Sequence, residues 1–282
     1  MAIAGLFGAS CDAIETPISV IVPPAVAWIE SPATTAAPTS TTTTTSTTST
    51  TTMVPDAQTC TVIGPGIDLQ GCDLSGQTLS HLDLSNTDLV NVDLSGARVL
   101  NVNLSGATLT DVNLSGAVVS HVDLTGASLK NADLTGARLA NSNLTNVNLV
   151  GADLSGADLS GSTVVLSDLH DANLSGANLR NSVLLNLNLS GADLSGVDLS
   201  DASLRISDLL GANLVGARLN RAVLVGVNLT SSSLSEADLT DANLTDVDIT
   251  LADLTAAIWA GATCGFGIEP SVLCETLLPT TP

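Results

Sequence analysis

The side chains of this 282-residue chain best equipped for chemistry are three histidines, five cysteines and a large surplus of carboxylates. Imidazoles and thiolates are metal ligands, and an imidazole held between a carboxylate and a hydroxyl can act as a general base. His81, His121 and His170 are scattered along the chain, with no CxxC, HExxH, GxSxG or glycine-rich phosphate loop near them. Twenty-eight acids against seven bases give a formal net charge of −21, which argues against direct binding to nucleic acid phosphates. Whether any of these groups can cooperate depends on the element that positions them.

That element repeats every five residues. A leucine recurs from Leu69 to Leu254 without insertion or deletion, in 38 slots of which 34 hold Leu, three Val (Val99, Val119, Val164) and one Ile (Ile249). A period of five fits neither the helix nor the strand, so each unit must be a short straight piece followed by a corner. Such a unit cannot bury its own leucine. Stacked units can, which predicts a solenoid whose coils touch only their neighbours. Two residues before the leucine lies a small residue, as at Ala152, Ala157, Ala172 and Ala192, which points the same way in extended chain and so also faces inward. Between them Asp153 or Asn173 must point outward. Ser or Thr follows the leucine, then often Gly or Asn, which tolerate the positive φ of a tight corner.

The unit Ala152-Asp153-Leu154-Ser155-Gly156 resembles the pentapeptide-repeat family, whose signature is A(D/N)LXX, and the resemblance covers roughly residues 67 to 258. It implies an all-β fold, a right-handed quadrilateral parallel β-helix with four pentapeptides per coil. The 38 units then make about 9.5 coils, a rod roughly 45 Å long at a strand spacing of ~4.8 Å. On that lattice His81 and His121 share a corner column two coils apart, ~9.6 Å, too far to share a metal; His170 is on another face. No catalytic residue, cofactor site or metal site is expected. Glycosylation sequons such as Asn103-Leu104-Ser105 follow from the repeat itself.

Outside the repeats the chain divides into an apolar N-terminal segment (1–33), a candidate targeting or anchoring element; a Thr/Ser-rich linker (34–59); an N-terminal cap (60–66); and a C-terminal cap and tail (259–282). The linker composition cannot bury a core and predicts disorder. No run reaches the ~18 apolar residues of a membrane span. The first basic residue is Arg98, so no standard signal peptide is written. Cys11 follows Leu6-Phe7-Gly8-Ala9-Ser10, loosely like a lipobox, and is a candidate lipidation site for membrane anchoring. Cys60 with Cys72, and Cys264 with Cys274, flank the two ends of the rod and are candidate cap disulfides, which require an oxidising compartment. Cys72 is equally suited to be a small buried residue. A Thr-rich stalk and cap disulfides favour a secreted or envelope location; the alternative is the cytoplasm.

Outward positions twenty residues apart form columns. On the face through Leu74 the column before the leucine runs Asp73, Asp93, Asn113, Asp133, Asp153, Asn173, and the face through Leu69 is similar; neither column contains a base. The face through Leu79 carries Arg98, Arg138, Arg180 and Arg218 among acids, an arrangement suited to salt bridges. The face through Leu84 differs. It presents Thr163 and Val165, Val183 and Leu185, Ser203 and Arg205, then Val223 and Val225 in consecutive coils, with Leu166 and Ile206 at the adjoining corner. Apolar residues in register at outward positions predict a lateral contact patch for a protein partner or for self-association.

The expected function is therefore a non-enzymatic interaction or structural scaffold acting outside the cytoplasm. The alternative comes from the family: its quinolone-resistance members are acidic rods that resemble duplex DNA and occupy the DNA saddle of gyrase. This chain shares their negative charge. It departs from them in having no Phe at the central slots and in its three arginines before the central residue, Arg98, Arg138 and Arg218.

Overall fold

The computed structural model describes residues 68–265 and the backbone of Val272–Leu273. The expectations for segments 1–33, 34–59 and 60–66, and with them Cys11 and Cys60, lie outside the described residues, as does Cys274.

Five backbone N–H groups per repeat must each find an acceptor, and the unit 153–157 shows how they do. Asp153 N–H donates to the Ala132 carbonyl of the preceding coil, and Leu154 and Gly156 N–H donate to Asn173 and Ser175 of the next. Ala157 N–H closes the corner on the Leu154 carbonyl at 3.0 Å. The remaining N–H, that of Ser155, donates to the Asp153 side chain at 2.9 Å. Every donor of the unit is thereby used.

Repetition of this scheme stacks residues twenty apart. Nine successive parallel bridges carry Asp68 to Asp248 and nine more carry Asp73 to Asp253, so four pentapeptides make one turn of a four-sided β-solenoid. The sides are called faces one to four after Leu69, Leu74, Leu79 and Leu84. Where a side is straight over three residues it forms a strand. On face three β1 (Thr78–Ser80), β2 (Arg98–Leu100) and β3 (Val118–Ser120) pair in parallel. On face four β4 (Thr163–Val165) pairs with β5 (Val183–Leu185), and β6 (Asn243–Thr245) with β7 (Thr263–Gly265). A last strand, β8 (Val272–Leu273), runs antiparallel to β7 and covers that edge.

Corners set the shape. All 39 positions two residues after a central slot, from 71 to 261, have positive φ; 17 are Gly and 22 are not, with Asn and Asp the commonest of the latter. Only glycine reaches this region freely, and Asn and Asp enter it more readily than other residues. Inside the corners leucine and alanine fill the bore, nearly all of them buried. Buried serines return their hydroxyls to the backbone: Ser162 Oγ donates to the Leu159 carbonyl at 2.6 Å. Ser167 Oγ accepts from Val147 N–H and donates to the Leu144 carbonyl. Among the described residues no buried side-chain polar atom lacks a partner.

The ladder passes the boundary expected at 258: Trp259 and Cys264 take the next two central slots, and Ala262 is buried behind them. Cys72 and Cys264 are buried and each is disulfide-bonded. They stand at opposite ends of the rod, roughly 45 Å apart by coil spacing, far beyond the ~7 Å between Cα atoms that a disulfide spans. The two are therefore not paired with each other.

Because each leucine is held by the coils above and below, truncation leaves a hole that neither coil can fill. Leu154→Ala, at a fully buried slot in mid-rod, is expected to destabilise the fold by about 2–5 kcal/mol, read as a lowered urea midpoint.

Candidate functional site

The outward Asp and Asn residues have a local role that the sequence pattern does not announce. Besides the N–H two residues on, many accept the hydroxyl of that same residue: Ser75 Oγ donates to Asp73 at 2.7 Å, and Thr250 and Thr255 hydroxyls to Asp248 and Asp253 at 2.6 Å. Coils are also tied along the column. Asn173 Nδ2 donates to Asp153, Asn188 to Asp168, Asn213 to Asp193 and Asn228 to Asp208, each from the coil after to the coil before. An Asn above an Asp replaces carboxylate repulsion with a hydrogen bond. The recurring (D/N)L(S/T) triplet was the signal for this arrangement.

Charge is nonetheless unevenly distributed. Faces one and two carry fourteen acids and one base, whereas faces three and four carry eight acids and six bases. On face three Arg221 binds Asp201 through Nε and Nη2, both at 2.7 Å. Arg180 reaches Asp198 at 3.3 Å and Asp201 at 3.7 Å, and Arg218 lies 3.9 Å from Asp198. Arg98 and Arg138, expected in the same pattern, have no ion pair among the described residues.

The histidines do not form a centre. His121 Nδ1 is 2.9 Å from Ser120 Oγ, and His170 is beside Asp171 and the Ser190 carbonyl. Among the described residues no group of three or more His, Cys, Asp or Glu is placed to hold a metal. An interior void beside Leu149, Val164 and Leu184 has a volume of about 10 Å³, room for one water and not for a substrate. No helix among the described residues is long and apolar enough to cross a membrane.

Face four brings the expected patch together. Thr163, Val183, Ser203 and Val223 are consecutive rungs of one column, with Val165, Leu185, Arg205 and Val225 beside them. Val165, Leu185, Val223 and Val225 are half-buried, whereas Val183 is 39% exposed, Leu166 56% and Ile206 68%. Two local costs coincide at this patch. Leu166 and Ile206 occupy corners at φ 56° and 58°, where branched apolar residues are strained and a β-branched one is an outlier. Val223 stands where an Asp or Asn would accept the N–H of Val225, and a valine side chain cannot; at Val183 the pairing of β5 with β4 takes up the Leu185 N–H instead. Neither cost serves the solenoid.

The profile of the Pentapeptide repeats family matches eight copies in this chain, over residues 67–99, 88–126, 123–161, 167–205 and 207–246. The chain belongs to that family. Among solved structures it is similar to HetL, a pentapeptide repeat protein involved in heterocyst differentiation regulation in the cyanobacterium Nostoc. Identity to HetL is 35% over 73% of this chain and 92% of that one, with a TM-score of 0.57. It is also similar to full-length QnrB1, a plasmid-mediated fluoroquinolone resistance protein, at 20% identity over 73% of this chain and 99% of that one, with a TM-score of 0.34. No curated protein sequence matches the chain.

Hydroxyl and backbone donors hold several outward carboxylates below their ordinary pKa of 3.8: Asp73 through Ser75, Asp248 through Thr250 and Asp253 through Thr255. A carboxyl more acidic in the folded state stabilises the fold above its ordinary pKa, and that contribution is lost as pH falls through the lower folded value. Thermal midpoints are therefore expected to hold from pH 7 to about 5 and to fall below pH 4. Asn keeps the acceptor without the titration, so Asp248→Asn with Asp253→Asn should flatten the acid limb and leave the neutral midpoint nearly unchanged.

Proposed function

We propose that this protein is a non-catalytic scaffold that binds another protein surface through face four. One observation carries the proposal: the exposed apolar side chains of Leu166, Val183 and Ile206 recur in three consecutive coils, and two of them strain the corners they occupy. Residues kept against local stability mark sites of function. The acidic columns need no external partner to explain them, because each Asp or Asn closes its own corner. The alternative expectation, an acidic rod that takes the place of DNA on gyrase, would place the contact on faces one and two.

We place the protein outside the cytoplasm on two supports, the Thr-rich linker composition of 34–59 and the paired state of Cys72 and Cys264 at the two ends of the rod. Alkylation of free thiols before and after reduction, followed by mass spectrometry of protein from intact cells, is expected to show both cysteines blocked until reduced. Free thiols in native material would overturn the location.

The scaffold role is tested by separating stability from contact. Leu166→Asn with Ile206→Asn places a corner-compatible residue at both sites, so the thermal midpoint is expected to stay level or rise by a few degrees. A photo-crosslinking residue at Thr163 is expected to give covalent protein adducts in expressing cells, and the double substitution to remove them. A lower midpoint with adducts intact would mean that the two residues serve the fold and that face four is not the contact.

A further inference from the structure

Building on the scaffold proposal, we infer that the occupant of face four is a second copy of this chain, packed side by side and antiparallel about a two-fold axis. The axis passes between the rungs of Val183 and Ser203.

Charge favours this arrangement over other self-contacts. A chain of net charge −21 resists meeting itself, yet in such a pair face two, with seven acids, is turned away and face one stands at right angles to the contact. Face four contributes only Asp83, Asp123, Asp246 and Arg205 over the whole rod. Unlike the charges of faces one and two, these are few enough for two copies to approach within a Debye length, ~8 Å at physiological salt.

Register settles the direction. A two-fold axis makes contacts reciprocal, so each rung meets its mirror rung in the partner. With the axis between 183 and 203, the rung of Thr163, Val165 and Leu166 meets that of Val223 and Val225. The rung of Val183 and Leu185 meets that of Ser203, Arg205 and Ile206. One step out, Asn143 and Thr145 meet Asn243 and Thr245, which can exchange hydrogen bonds, and Asp123 meets Thr263. No like charges oppose one another. The Arg205 stem lies over Leu185 with its guanidinium free to reach solvent. A parallel pairing in register would instead set Arg205 on Arg205 and Asp123 on Asp123.

Size sets the strength. Four coils of a side three extended residues wide offer an apolar area of roughly 200 Å², well below the ~800 Å² per partner of a standard stable interface. The dimer is accordingly weak and concentration-dependent, held at its centre by apolar contact and at its ends by Asn and Thr.

The test is sedimentation velocity of the full chain from about 1 to 500 µM, a range set to bracket an interface of this size. It is joined to a photo-crosslinking residue at Ser203 and mass spectrometry of the linked peptides. A mass that doubles with concentration, with crosslinks from 203 to the partner's Val183–Leu185 segment, is the expected result. Ile206→Asn should weaken the dimer at least tenfold, and Val150→Asn on face one should not. Crosslinks from 203 to a different protein, with the purified chain monomeric throughout, would overturn the second copy and keep the scaffold role. A monomer with no adducts in cells would overturn both. A dimer insensitive to Ile206→Asn would place its contact elsewhere and overturn the inference.

Discussion

Outside the paired strands one backbone N–H per pentapeptide has no carbonyl to go to, and much of the molecule follows from that. Of the five donors in residues 153–157, four bond to carbonyls of the neighbouring coils or of the corner itself, and that of Ser155 is left for the Asp153 side chain. A short side chain with an oxygen three bonds from Cα reaches this N–H without leaving the extended backbone. The result is a rod covered in Asp and Asn. Its acidity begins as a solution to a hydrogen-bonding problem, and only then becomes a property that a partner meets.

The second step is the choice between Asp and Asn. Either closes the corner, so corner chemistry alone leaves the charge of a column undetermined. Carboxylates one coil apart would repel by roughly 1 kcal/mol in water and more near the low-dielectric bore. An Asn in the next coil removes that repulsion and adds a donor, as Asn173 does for Asp153 and Asn213 for Asp193. On face three the same problem is met by arginine, with Arg180 and Arg221 converging on Asp201. The charge is thus tuned column by column, and the contrast between the acidic and near-neutral sides of the rod is a consequence of which device each column uses.

The core was legible in the sequence because its signal is periodic: every fifth leucine, with a small residue two before it, names the inward positions, and from Leu69 to Leu244 these are buried except at Gln77 and Leu82 in the first coil. The corners were legible where they hold Gly or Asn. They were not legible at Leu166, Arg221 or Leu251, whose types give no hint of a positive φ; only their phase in the repeat does. Asx closure was missed for a different reason. An outward Asp on a soluble protein is adequately explained by water, and nothing in its type distinguishes a solvated carboxylate from one that accepts three hydrogen bonds. The coil boundary at 258 fell short because Trp259 and Cys264 break the residue pattern while keeping its phase.

Phase also changes what the face-four residues mean. Taken as sequence, Leu166 and Ile206 are two apolar residues among many. Placed at corners, they stand in a backbone conformation that glycine would adopt without strain and asparagine with little. The fold itself supplies the comparison, since Asn186 and Gly226 occupy the same column at φ 53° and 71°. Those residue types are therefore known to fit, one coil away, and the rod would lose nothing in closing its corners with them. An exposed side chain that disfavours its own backbone, one coil from a valine, Val223, that forgoes a corner hydrogen bond, is poorly explained by folding and well explained by contact. The same logic explains why the contact is on face four: it is the side where the charge devices are sparsest, so an apolar surface there can be approached without setting carboxylates against each other.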